Sequence, residues 1–400
     1  MKQLLKHLSC VVYLGKCIAL IMMTALFQTG FAQSDINKHF IKDDHLQQLL
    51  DQISSKKIIA LGESTHGTRE FTIVRADIVK SLVTQYGFNT FILEADYMPC
   101  AAISEFILTG KGDPEKLLLK VRLWPWIHQD FLELIIWMKD YNQLHPSEKV
   151  QFFGMDSQYS KIYATKEIIF QKYPEKAQAI FNIVEGQEKR NKKIKMLRAI
   201  SEQSLLTSAI DLEWQYFILC QINKLAQLPP KDYNARDENM AKMVELIQLK
   251  QGVDTKMMIW SHNEHINKKG SSLQDRTGMG HHLSVNHPDD FVAIGMDFKE
   301  GSFMAIDFED KSTHKPTAFQ LKPFETTYAS GVNFTDKEIN IIDCKNIDKE
   351  VLNAIGAIYV HVPKKGDNYY TKIKGNKSFD YLIIIEKSTP IRFLSNYGLK

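Results

Sequence analysis

"KKIIALGESTHGTREFTIVRADIVKSLV", residues 56–83, reads as a strand, a tight turn and a helix in one run. The apolar stretch ending at Leu61 has the length of a buried strand, and Phe71, Ile78 and Leu82 recur at helical spacing. Gly62 follows the strand and Gly67 opens the helix, so Glu63, Ser64, Thr65 and His66 occupy the turn. The pattern nearly matches Gly-x-Ser-x-Gly, the strand-to-helix elbow of serine hydrolases. It departs at one place: His66 stands where the second glycine belongs, and the glycine comes one residue late. The chemistry of this turn therefore rests with Glu63, Ser64 or His66. A histidine titrates near neutrality without special tuning, and the nearby helix N-terminus disfavours its protonated form. His66 is the candidate general base.

Four further apolar runs lie at 88–96, 149–156, 256–263 and 290–298, with a final one at 379–387. Segments of helical period separate most of them, among them 67–86, 99–110 and 130–143. Alternation of this kind predicts an α/β fold with a mostly parallel sheet in a three-layer arrangement. Each of the first five runs ends in acids or histidines: Glu63 and His66, Glu94 and Asp96, Asp156, His262 and His265, Asp297. Ligands of open parallel sheets bind beyond the carboxyl ends of the strands, so these residues stand where a site is expected. The interval from 160 to 252 carries no strand pattern and reads as a helical insertion or lid over that site. The last hundred residues are less patterned.

Arg75 lies on the apolar face of the first helix. A buried guanidinium needs an acidic partner, and Glu63 and Glu94 are the two available, with a buried Arg75–Glu94 pair as the expectation. His262 and His265 in "WSHNEH" are three apart, unlike the four-residue spacing of the His-Glu-x-x-His zinc motif. A metal site that joins them to His281 and His282 stays open as an alternative.

The first thirty-two residues combine Lys2 and Lys6, an apolar stretch and a small residue at Ala32, the pattern of a signal peptide cleaved after Ala32. Its removal takes the chain from 50 basic and 47 acidic residues to 47 of each. A neutral mature chain lacks the basic footprint of a nucleic-acid partner. The expected address is the periplasm, without stable membrane insertion once the signal is cut. Cys100, Cys220 and Cys344 remain, too scattered for a disulfide framework or a Cys-x-x-Cys metal site.

Several stretches together resemble the erythromycin esterase family, which shares its fold with the more distant haem-uptake proteins: "GESTHGTREF" followed by Arg75 and Glu94, "WMKDYN" before "FFGMDSQ", "RDENMA", "WSHNEH", "MGHHL" and "AIGMDFKEGSF". The resemblance implies a hydrolase that cleaves a carboxylic ester, such as a macrolide lactone, by histidine-activated water without a metal, cofactor or acyl-enzyme. Carried over, it makes His66 the base and Glu63, Arg75, Glu94 and His262 its supporting site, with Arg75 or His262 facing the oxyanion. Substrate contacts are then expected from His265, Arg236, Trp124, Trp126 and Asp156. The rival readings are a non-enzymatic haem or ligand carrier of the cell envelope and a metal-dependent hydrolase.

Overall fold

The computed structural model describes residues 44–398 except 159–165, 208, 271–275, 310–314, 323–325, 336–337, 363 and 365–368. The expected signal peptide lies outside the described residues. Among the described residues no helix is long and apolar enough to cross a membrane.

Helix α1 (Asp44–Ile53) leads into β1 (Ile58–Leu61), α2 (Arg69–Tyr86), β2 (Thr90–Asp96), α3 (Tyr97–Thr109), α4 (Pro114–Val121), α5 (Gln129–Leu144) and β3 (Gln151–Asp156). Five helices follow: α6 (Lys166–Lys172), α7 (Pro174–Glu185), α8 (Arg190–Thr207), α9 (Leu212–Ala226) and α10 (Asn234–Gln251). Then come β4 (Met257–Trp260), α11 (Asn263–Ile266), α12 (Met279–Asn286) and the long β5 (Phe291–Asp307). The last part holds β6 (Pro316–Gln320), β7 (Ile339–Asp343), β8 (Lys349–Asn353), β9 (Ile358–Tyr359), β10 (Tyr370–Lys374) and β11 (Tyr381–Ser388).

The main sheet runs β3-β2-β4-β1-β5-β11-β7. All neighbours along it are parallel except β7, which runs antiparallel to β11 at the edge. Strands β1, β2 and β4 are buried along their whole length, which is why they read as continuous apolar runs rather than alternating ones. The expected α/β class holds. The C-terminal hundred residues differ from the sequence reading: β5 continues to Asp307, and β6, β9 and the β8–β10 pair build on it or beside it. These strands are short and half exposed, so no strong apolar period marks them.

Two glycines fix the opening turn. A side chain at Gly67 would bring its Cβ to 1.9 Å from the Met304 carbonyl oxygen, and one at Gly62 would reach 2.1 Å from Asn263 Oδ1. The turn is thus packed against β5 on one side and α11 on the other. Gly67 does the work of close backbone approach from a position one residue later than in a serine elbow.

Candidate functional site

Beyond the carboxyl ends of β1, β2, β3 and β4 lies one cleft of about 690 Å³, whose wall carries seven of the predicted residues. Its wall includes His66, Glu94, Trp124, Trp126, Arg236, His262 and His265.

His66 occupies the turn after β1. Its Nδ1 lies 2.7 Å from Glu63 Oε1, so with the carboxylate as acceptor the proton sits on Nδ1 and Nε2 keeps the lone pair. The His66 side chain retains 13% exposure while Glu63 retains 1%. The carboxylate is hidden and the imidazole reaches the cleft. Glu63 Oε2 accepts from Arg75 Nη2, and Arg75 Nε donates to the Phe71 carbonyl at 3.2 Å. The guanidinium lies 4.0 Å over the Trp260 ring. Ser64 Oγ is buried and donates to Asp297 Oδ1 at 3.0 Å, beside Asn353.

This corrects the expected Arg75–Glu94 pair: Arg75 is buried but pairs with Glu63. β4 lies between β1 and β2 in the sheet, so Glu94 stands one strand further away. At 1% exposure and stacked on Trp260, Arg75 is not on the cleft wall and is not the group facing an oxyanion. It positions Glu63.

Glu94 anchors a second group. Its Oε2 accepts from Ser261 Oγ at 2.7 Å and from the His262 backbone N–H at 2.9 Å. Its Oε1 accepts from Arg236 Nη2 at 2.9 Å and lies 3.2 Å from His265 Nε2. A register shift between Leu93 and Asp96 against β3 marks a bulge at this point, a device that re-aims side chains next to sites. Asp96 turns away to accept from Tyr216 at 3.1 Å. With so many donors, Glu94 is held well below the usual carboxylate range: burial opposes the charge, and His265 and Arg236 outweigh it.

Asp156 is fully buried beneath Arg236 and accepts from its Nε at 3.1 Å and its Nη2 at 2.7 Å. It is not on the cleft wall, so the expected substrate contact at Asp156 is corrected to a support for Arg236. Arg236 and Asp237 are consecutive on α10 and serve two partners. Asp237 Oδ1 accepts from His265 Nδ1 at 2.6 Å and from the Met279 N–H at 3.0 Å. Burial works against a charged His265, yet Asp237 and Glu94 overcome it and raise its pKa to about 9. His262 is tuned the other way. Burial, then the neighbouring His66, push it well below the ordinary histidine value. Its Nε2–H donates to the Ser64 carbonyl at 3.2 Å and its Nδ1 accepts from the Glu264 N–H at 3.3 Å. It packs on His66 with ring centroids 5.0 Å apart.

Trp124 and Trp126 form a single 3-10 turn before α5. Trp126 Nε1 donates to the Glu94 carbonyl at 3.1 Å and its ring meets His66 edge-on at 6.1 Å. His281 and His282 stand apart on α12: His281 Nδ1 faces the Lys268 carbonyl, and His282 lines a separate cavity with Arg198 and Glu238. Sequence reasoning missed Arg122, Arg276 and the 354–358 segment of the wall. The segment crosses the turn after β1, with the Ile355 N–H donating to the Ser64 carbonyl at 2.7 Å and the His66 N–H to the Gly356 carbonyl at 3.2 Å. No local pattern marks such a contact. "DRTGMGHH" did place a charged residue beside a site-flanking motif, and that was the available signal for Arg276.

The family profile for erythromycin esterase matches residues 83–185 and 184–388. The chain belongs to the erythromycin esterase family. It is 22% identical to erythromycin esterase type II of Escherichia coli, over 86% of this chain and 93% of that one. A crystal structure of a Bacillus cereus protein superposes with a TM-score of 0.70 at 21% identity, covering 90% of this chain and 95% of the other. A histidine-to-asparagine mutant of an erythromycin esterase in its open conformation does so with a TM-score of 0.61 at 15% identity, covering 88% and 96%. Membership in this esterase family places the chain among hydrolases with small-molecule ester substrates.

Proposed function

We propose that the chain hydrolyses a carboxylic ester by water that His66 activates, with a large lactone of the macrolide type as the substrate class its family membership suggests. The observation that carries this reading is the 2.7 Å Glu63–His66 contact, which leaves Nε2 on the cleft side as the proton acceptor. His66 Nε2 takes a proton from water while the water oxygen bonds to the ester carbonyl carbon. The carbonyl π electrons move to its oxygen. The tetrahedral species then expels the alkoxide, which takes the proton back from Nε2 as the acid product leaves. Glu63 stabilises the transient imidazolium, and Arg75 holds Glu63 in place through its other oxygen. Arg236 and His265 bring positive charge to the wall where the oxyanion develops. Ser64, turned to Asp297, is a turn residue in this scheme.

The test is incubation with fourteen- and sixteen-membered macrolides and simple esters, followed by mass spectrometry for the addition of one water. His66→Asn is expected to abolish that addition, which is expected to persist in a strong chelator. Loss on chelation with recovery on zinc would replace this reading with the metal-dependent one. Export completes the proposal: the mature protein recovered from the native host is expected to begin at Gln33.

A further inference from the structure

Helices α2 and α3 both end on a glycine in the left-handed conformation, Gly87 at φ 72° and Gly110 at φ 73°. Helix α4 ends the same way, but on Arg122 at φ 60°. It has a positive φ found at no other non-glycine among the described residues. Glycine adopts this conformation without strain and an L side chain does not, so the helix by itself would be better served by glycine.

Arg122 is exposed and lines the open side of the His66 cleft beside Trp124 and Trp126. Among the described residues it has no ion-pair or hydrogen-bond partner, in contrast to the other guanidinium groups of the site. Arg75 is held by Glu63, and Arg236 by Asp156 and Glu94. Arg276, also on the wall, is only partly engaged: Nη1 lies 3.4 Å from Asp237 Oδ2, while its Nε is buried with no hydrogen-bond partner among the described residues. Arg122 thus presents free donors to a cleft bordered also by Arg276, by the carboxylates Glu94 and Glu264, and by apolar groups, among them Leu123, Ile306, Ile355 and Ile358. The guanidinium fork matches the paired oxygens of carboxylates, phosphates and sulfates.

We propose that Arg122 is a specificity residue that clamps an anionic oxygen group on the substrate, with Arg276 as a second donor. The word substrate rests on the esterase reading above; the anion site does not.

The test compares two probes of one shape, anilinonaphthalene sulfonate and neutral N-phenylnaphthylamine, titrated by fluorescence against the purified chain. Wild type is expected to hold the sulfonate about tenfold more tightly, the size of a charge-assisted hydrogen bond. Arg122→Gly, which relieves the backbone and so does not endanger folding, is expected to remove that advantage. Arg122→Lys keeps the charge and is expected to retain part of it. A parallel comparison takes the monomethyl and dimethyl esters of one dicarboxylic acid, where the charged ester is expected to lose through KM rather than kcat in Arg122→Gly. Equal binding of both probes by wild type, or an undiminished sulfonate preference in Arg122→Gly, overturns the proposal. A sulfonate preference that depends on Arg122, in a protein that adds water to no member of the macrolide and ester panel, supports the anion site and removes the esterase reading instead.

Discussion

Glu63 uses one oxygen for His66 and the other for Arg75, so three side chains act as a unit at the scale of single residues. Removing the base is expected to lower kcat by about 10²–10⁴-fold, measured with His66→Ala on whichever ester the panel reveals. Ser64→Ala is expected to keep a substantial part of the rate, because its hydroxyl is already committed to Asp297. Arg75→Ala strands the Glu63 charge in a site at 1% exposure, a loss of roughly 3–5 kcal/mol. Arg75→Met combined with Glu63→Leu is expected to recover most of that stability and remain inactive. In double-mutant cycles followed by thermal melts, Arg75 is expected to couple strongly to Glu63 and weakly to Glu94, which is tied to Arg236 and His265.

At the scale of elements, the helix ends and the opening turn give contrasting glycine substitutions. Gly67→Ala forces a Cβ into the Met304 backbone of β5 at 1.9 Å. The start of α2 would have to move and take His66 with it, so the expected outcome is a large drop in melting temperature or insoluble protein. Gly87→Ala meets no atom within 4 Å but keeps a φ of 72°. Its expected cost is only the left-handed strain, about 1 kcal/mol. Arg122→Gly is the reverse change at the end of α4 and is expected to stabilise by a similar amount. Urea unfolding of the three variants separates steric from conformational effects.

For the whole molecule, the buried charges link stability to pH. His265 has its pKa raised to about 9, from an ordinary 6.5, so the folded chain binds a proton that the unfolded chain has released between those values. Its contribution is fully present below about pH 6.5 and is lost as pH rises through about 9. The melting temperature is therefore expected to fall across that window. His265→Gln is expected to lower stability at every pH, since Asp237 loses its closest partner, and to flatten the slope between pH 6.5 and 9. An unchanged slope in the variant would assign the alkaline loss to another group.

The sequence alone determined what depends on short separations. Residues 56–83 contain the strand, the turn and the helix that hold Glu63, His66 and Arg75, and apolar period and strand-end acids marked the other parallel strands, because each such signal is local. Glu94, His262 and His265 were legible as candidate site residues for the same reason, whereas Arg236 was expected only through the family resemblance. Which of them pair was not legible, since pairing depends on strand order: β4 inserts between β1 and β2, leaving Arg75 to Glu63 and bringing Glu94 to Arg236, 142 residues away. Tertiary packing also buried Asp156 beneath Arg236, wrapped residues 354–358 over the turn after β1, and brought Arg122 and Arg276 to one cleft. Those placements follow from long-range packing, which carries no periodic trace in the chain.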